Sequence, residues 1–303
     1  MDAVASTVRA DSTLPFAARV AIVGSAGRYG RWLVGFFAAN PALAAEVRGH
    51  DPADPSSVTM EALAHWADVV VFSAPVMTTV EVIGRFAALA RERAEQQLWL
   101  DLTSIKAAPV AAMQASGAEV LGLHPMCAPP ALTHLAGQRL VVCEGRLKVW
   151  RPWTTAFLRA TRAILVPLDA REHDRRAAQV QALGHAAHLA QLTALARGGP
   201  TLDALDACAT PTFGLDLAMG MRLLSGDPGL YAGLLSLTEE SRASLRALRD
   251  ACTWLVDAAD STAPLDALVP HIASLQQWAG TERITDGNAA YLRAVDGLRP
   301  PSD

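Results

Sequence analysis

Over the first half of the chain, short runs of consecutive apolar residues alternate with longer stretches of helical spacing. Arg19-Val20-Ala21-Ile22-Val23-Gly24 is the first such run. A segment apolar on both faces and closed by glycine is what a buried parallel strand needs. Further strands are expected around Glu46 to His50, ending at Asp51, and at Asp68 to Ala74, stopped by Pro75. Three more are expected at Leu98 to Asp101, Glu119 to Leu123 and Arg139 to Cys143. Helical patterns lie between several of them, the first from Arg31 to Phe37. Such alternation predicts an α/β fold, a parallel sheet with helices on both faces.

Beyond Leu168 the pattern changes. Arg171 to Arg197 holds no proline and one interior glycine, Gly184, and reads as one long helix. Along it Asp174, Ala178, Gln181, His185 and His188 recur at spacings of three and four, a polar stripe on one apolar helix. The remainder, to about Ala294, breaks into helices at Gly198-Gly199-Pro200, Gly226-Asp227-Pro228-Gly229 and Ala263-Pro264. The expected organisation is an N-terminal arm over 1–18, a sheet domain over 19–167 and an all-helical domain over 168–303.

Composition narrows the function classes. A net charge of -4 and the lack of a basic run interleaved with aromatics argue against nucleic acid as a partner. No apolar stretch reaches the length of about 18 residues that a membrane helix needs. The segment Met1 to Arg19 has no apolar signal core, and Cys127, Cys143, Cys208 and Cys252 fit neither a disulfide frame nor a zinc spacing. A cytoplasmic protein without a metal is expected. The alanine- and leucine-rich helices after Leu168 offer more apolar surface than one small helical layer covers, which predicts a homodimer.

Between the first strand and the first helix lies Gly24-Ser25-Ala26-Gly27-Arg28-Tyr29-Gly30. Small residues there let the backbone approach a pyrophosphate, and the helix N-terminus supplies free N–H groups. Asp51 follows at the spacing of an acid that accepts the ribose hydroxyls, which favours NAD over NADP. A tight turn for the glycines and a solvated turn, Asp51-Pro52-Ala53-Asp54-Pro55, are the plainer readings. Ligands in open parallel sheets bind beyond the carboxyl ends of the strands. Ser73-Ala74-Pro75, Ser104 and His124 all fall at such ends. A histidine there can take a proton near neutral pH; a strand-end cap before Pro125 is the alternative.

Several motifs in order carry a resemblance. Asp101-x-x-Ser104-x-Lys106, Gly122-Leu123-His124-Pro125-Met126, Gly137-Gln138, Glu172-His173-Asp174 and Gln181-Ala182-Leu183-Gly184-His185 are similar to the prephenate dehydrogenase family. So are Leu217-Ala218-Met219-Gly220-Met221-Arg222-Leu223 and Asp227-Pro228-x-Leu230-Tyr231. The resemblance runs from about Arg19 to Leu245 and implies a Rossmann-type dinucleotide-binding domain followed by a helical dimerisation domain. It further implies NAD-dependent oxidative decarboxylation of prephenate to 4-hydroxyphenylpyruvate, a step of tyrosine or tyrosine-derived biosynthesis. His124 matches the histidine that takes the hydroxyl proton, and Ser104 the serine that orients that hydroxyl. Arg222 matches an arginine that binds a substrate carboxylate. Gln181, His185, Tyr231 and Pro129 are expected to border the substrate.

The chain departs from the family after the histidine. Pro125-Met126-Cys127-Ala128-Pro129-Pro130 stands where Pro-Met-Phe-Gly-Pro-Asp or a relative is usual. Arogenate and 4-amino-4-deoxyprephenate therefore stay open as substrates. The amino-substrate enzymes share Ala-Pro here but carry asparagine at the histidine position, so the retained His124 favours a hydroxyl. A non-catalytic NAD-binding regulator would have lost His124 or Arg222. A β-hydroxyacid dehydrogenase or imine reductase would need a lysine between Arg171 and Arg197, which holds none. Too short a segment precedes the glycine loop for a further catalytic domain, so a single-function enzyme is expected.

Overall fold

A computed structural model of the chain describes residues 17–298. The expected N-terminal arm lies outside the described residues, apart from its last two positions. Two compact units divide at Ala177/Ala178.

The first unit carries a seven-stranded sheet in the order β2-β1-β3-β4-β5-β6-β7. The strands are β1 (Ala18–Val23), β2 (Ala44–His50), β3 (Val69–Phe72), β4 (Leu98–Asp101), β5 (Glu119–Pro125), β6 (Arg139–Arg146) and β7 (Ile164–Pro167). The helices are α1 (Arg28–Ala39), α2 (Met60–Trp66), α3 (Thr79–Ala90), α4 (Ala107–Gln114), α5 (Arg151–Thr161) and α6 (Ala170–Ala177). Successive strand residues point to opposite faces, and both faces are buried. Val20, Ile22, Val69, Val71, Leu98 and Leu100 meet Leu33, Phe36, Phe37, Trp153 and Phe157 of α1 and α5. Ala21, Val23, Val70, Phe72 and Trp99 meet Leu63, Ile83, Phe86 and Met113 of α2, α3 and α4. The apolar runs of the sequence are thus the central strands of a doubly covered, Rossmann-type sheet.

The expected parallel sheet is present, with one strand reversed and one strand added. β6 runs antiparallel to β5, because the connection between them, residues 126–138, contains no helix to carry the chain back across the sheet. A seventh strand, Ile164–Pro167, pairs parallel with β6 at the sheet edge. Its four residues lie where the sequence pattern suggested only a domain border; half-exposed edge residues such as Ile164 and Leu165 give a weak strand signal.

The second unit is helical: α7 (Gly184–Arg197), α8 (Leu202–Asp206), α9 (Pro211–Leu224), α10 (Pro228–Ser236), α11 (Glu239–Ala259), α12 (Pro264–Ala279) and α13 (Thr281–Leu298). The stretch read as one helix is helical throughout but passes through a π-helical turn, Ala178–Leu183, which packs against α11. The expected breaks are helix ends: Pro228 and Pro264 stand in the first turns of α10 and α12, and the Asp227 carboxylate caps the Gly229 N–H. No helix among the described residues is long and apolar enough to cross a membrane.

Candidate active site

The carboxyl ends of β1, β2 and β3 converge on the glycine loop. Gly24 has a φ of +93°, and a Cβ there would lie 2.5 Å from the Ser73 carbonyl oxygen. A Cβ on Gly30 would strike the Gly24 carbonyl and Ser25 Cα. Both positions therefore require glycine for the chain's own close approach. Gly27 precedes α1 without a side-chain cap, leaving the first-turn N–H groups and the positive end of the helix available to an anion. Asp51 sits just past β2, with Oδ2 accepting the Ala26 N–H at 2.9 Å and Oδ1 the Ala53 N–H at 2.9 Å. The acid thus braces the loop while each oxygen keeps a further lone pair. Ser25 N–H donates to the His50 carbonyl at 3.2 Å, Ser73 N–H donates to the Val23 carbonyl at 2.7 Å, and the Ala74 and Pro75 carbonyls accept from the Thr79 hydroxyl. Arg28 is exposed. Tyr29 turns its side chain away from the loop: its hydroxyl donates to the Cys127 carbonyl at 2.6 Å, so what it offers a cofactor is backbone. Trp32 donates likewise to the Leu132 carbonyl at 2.9 Å, so one face of α1 holds the segment that contains Pro129.

The neighbouring parallel strands β4 and β5 bring Ser104 and His124 to the same end of the sheet. Ser104 is half-buried; His124 is only 3% exposed. His124 Nδ1 lies 2.8 Å from His173 Nε2, and His173 Nδ1 lies 2.8 Å from Asp174 Oδ1. Asp174 also accepts the Lys106 and Ala107 N–H groups at 2.7 and 2.9 Å, at the start of α4. Beneath them the fully buried Lys106 donates to the Asp101 carboxylate and, at 2.8 Å, to the Leu123 carbonyl beside His124. Thr103 donates to the same Asp101 carboxylate. Burial above all, joined by the neighbouring His173 and Lys106, holds the His124 imidazolium well below the ordinary histidine range. Burial also lowers the Lys106 ammonium, against the pull of Asp101.

Asp101, Lys106, His173 and Asp174 were not among the expected site residues, although all four stand in the motifs quoted for the resemblance. The signal was there in chemistry: ionisable residues at strand ends and a helix start, beside a candidate base. The spacing puts Asp174 in one stripe with Gln181 and His185; in the structure its carboxylate instead accepts the N–H groups at the start of α4.

In the second unit the π-helical turn, α7, α9 and α10 gather Gln181, His185, Arg222 and Tyr231 into one neighbourhood. The His185 and Tyr231 rings meet edge to face, centroids 5.2 Å apart. A Cβ on Gly226 would lie 2.7 Å from the Tyr231 hydroxyl, so glycine there makes room for the ring. Burial, then the charges of His188 and Arg222, lower the His185 imidazolium. The Gln181 side-chain oxygen is buried without a hydrogen-bond partner among the described residues. No group of three or more His, Cys, Asp or Glu is placed to hold a metal ion among the described residues.

Residues 43–141 match the family described as prephenate dehydrogenase, nucleotide-binding domain. The T-protein of Enterobacter agglomerans is 32% identical over 246 residues, 79% of this chain and 64% of that protein. A 4-amino-4-deoxyprephenate dehydrogenase of Streptomyces pristinaespiralis is 29% identical over 249 residues, 76% of this chain and 81% of that one. The chain spans between about half and two thirds of the T-proteins it matches. A crystal structure of prephenate dehydrogenase from A. aeolicus, in complex with hydroxyphenyl propionate and NAD+, superposes with a TM-score of 0.68 at 16% identity. That superposition covers 94% of this chain and 99% of the other, a likeness of fold.

Proposed function

The chain belongs to the prephenate dehydrogenase family, and we propose that it catalyses the NAD-dependent oxidative decarboxylation of prephenate to 4-hydroxyphenylpyruvate. The observation that carries this reading is the buried His124 beside the carboxyl end of a sheet whose first turn is a glycine cradle. The cradle fits a dinucleotide: Gly24 and Gly30 leave no room for side chains, and the uncapped start of α1 suits a pyrophosphate. Gly24, Ser25, Ala26, Gly27, Arg28, Tyr29, Gly30, Ser73, Ala74 and Pro75 would border it, with Asp51 on the ribose hydroxyls. The nicotinamide, when bound, supplies a hydride acceptor.

His124, kept neutral near pH 7 by its burial, accepts the hydroxyl proton as hydride leaves the carbon bearing it. The ring carboxylate departs as carbon dioxide, its electron pair completes the aromatic ring, and the proton returns to the phenolic oxygen. Aromatisation drives the step, so the protein contributes positioning and proton transfer. Ser104 orients the hydroxyl. In the second unit Arg222 holds a substrate carboxylate, with Gln181, His185 and Tyr231 around it; the unpartnered Gln181 oxygen is an acceptor left for a donor such as a substrate hydroxyl. Pro129 stands on the segment held by α1.

NADH formation, followed by absorbance with prephenate, arogenate and 4-amino-4-deoxyprephenate side by side, tests the reading. Turnover is expected to be highest with prephenate and with NAD over NADP. The match to the Streptomyces protein over 81% of its length, with Ala128-Pro129, supports the amino substrate as the second reading. Higher efficiency with that compound would replace the first.

We further propose a homodimer through the helical unit and a cytoplasmic location. Trp278 is 85% exposed, Leu265 72% and Val269 58%, an apolar surface suited to a second copy. The four cysteines are free, as in reducing compartments. Light scattering at micromolar concentration should give the mass of two chains; one chain's mass would refute the dimer.

A further inference from the structure

The hydrogen bonds behind His124 have a direction. The Asp174 carboxylate receives three donors: the Lys106 N–H at 2.7 Å, the Ala107 N–H at 2.9 Å and the His173 ring at 2.8 Å. Backbone N–H groups cannot accept, so this carboxylate is pinned as an acceptor at the first turn of α4. The ring nitrogen of His173 facing it, Nδ1, must then carry a hydrogen. A neutral His173 is left with a lone pair on Nε2, and that atom lies 2.8 Å from His124 Nδ1. Between two neutral rings, the bond that can form there is donated by His124 Nδ1–H.

From this we infer that His173 and Asp174 are positioning residues that fix the tautomer of His124, leaving its Nε2 unprotonated and free to accept a proton. The inference rests on the reading of His124 as the base and says how it is prepared. It also says what happens to the charge. When His124 Nε2 takes the hydroxyl proton, the imidazolium keeps its Nδ1–H bond to His173, and Asp174 stands at the far end of the chain as counter-charge. The three side chains are 3%, 2% and 5% exposed, so solvent does not offer competing partners. The rings cross at 68°, with centroids 5.1 Å apart, which keeps the His173 lone pair aimed at the His124 edge without stacking.

Two measurements on the full chain test it. Nitrogen-15 NMR of the ring nitrogens of His124, near neutral pH and without ligand, is expected to show a protonated Nδ1 and a bare Nε2. In Asp174→Asn the amide cannot accept at every donor, and a mixture of tautomers is expected. The second test is kinetic. His173→Leu removes the acceptor and should lower kcat on the order of tenfold to a hundredfold, with KM and NADH affinity little changed. His173→Gln, whose amide oxygen can take the His124 Nδ1–H bond, should recover much of that loss. A purely structural role for His173 would move melting temperature and affinity together with kcat and would show no rescue by glutamine. A hydrogen on Nε2 of His124 in the wild-type chain overturns the inference, as does full kcat in a folded His173→Leu. The NMR result is independent of substrate: a bare Nε2 in a chain that ignores prephenate supports the relay and refutes the substrate assignment.

Discussion

His124, His173, Asp174, Lys106 and Asp101 are buried, and each is joined to at least one of the others by a hydrogen bond or ion pair. Gln181, His185, Arg222 and Tyr231, in the helical unit, are half-buried or exposed. His185 and Tyr231 share a ring contact, and the Arg222 guanidinium has no carboxylate partner among the described residues. Under the proposed function, the difference separates two tasks. A base must be held in one protonation state and one orientation before any ligand arrives, and burial with a pinned hydrogen-bond chain does that. A group that recognises an anion keeps its donors unspent until the anion supplies the acceptor.

The largest effect is expected where burial is deepest. Lys106→Met leaves the Asp101 carboxylate uncompensated in the interior and should cost about 3–5 kcal/mol of stability, read from urea unfolding. Adding Asp101→Leu should return part of that loss. Arg222→Ala should lie within about 0.5 kcal/mol of the parent in the same assay; an equal cost would erase the contrast between the clusters.

Function should separate in the opposite direction. His124→Asn should lower kcat about a hundredfold or more while leaving KM and NADH binding near the parent values. Arg222→Ala should instead raise KM for prephenate, by about 1.5–3 kcal/mol of lost charge-assisted bonding, or roughly tenfold or more. Steady-state kinetics of the two variants measure the split. If both changed the same parameter, the assignment of separate tasks would fail.

Much of the sheet unit was legible because its central strands are buried on both faces and so appear as unbroken apolar runs. β7 was not, since an edge strand with exposed Ile164 and Leu165 lacks that mark. The direction of β6 was not either, because no local pattern in residues 126–138 tells a loop that reverses the chain from a crossover. Of the site, the glycines, Asp51, Ser104 and His124 announce themselves by position after strands. His173 and Asp174 lie 49 and 50 residues beyond His124 in the chain, and only folding reveals that they stand behind it. Tyr29 shows the reverse case: it sits inside the glycine motif, yet its hydroxyl serves the segment after His124.

The smallest effect is a drift of stability with acid. The folded chain holds His124 below 6.5, so the unfolded chain binds a proton first as pH falls. The contribution of His124 is therefore complete above about 6.5, and it declines below that until the folded ring also titrates. Urea midpoints of the parent should fall in this range more steeply than those of His124→Asn. Equal slopes would show that the ring is not held neutral by the fold.

The central claim is that a buried, neutral His124 is the proton acceptor, and kcat against pH with saturating prephenate and NAD tests it most directly. The parent should lose activity on the acid side with a midpoint below the ordinary histidine value of 6.5, and His124→Asn should show a low kcat without that limb. The same limb in His124→Asn, at near-normal turnover, would contradict the claim and assign the proton to another group.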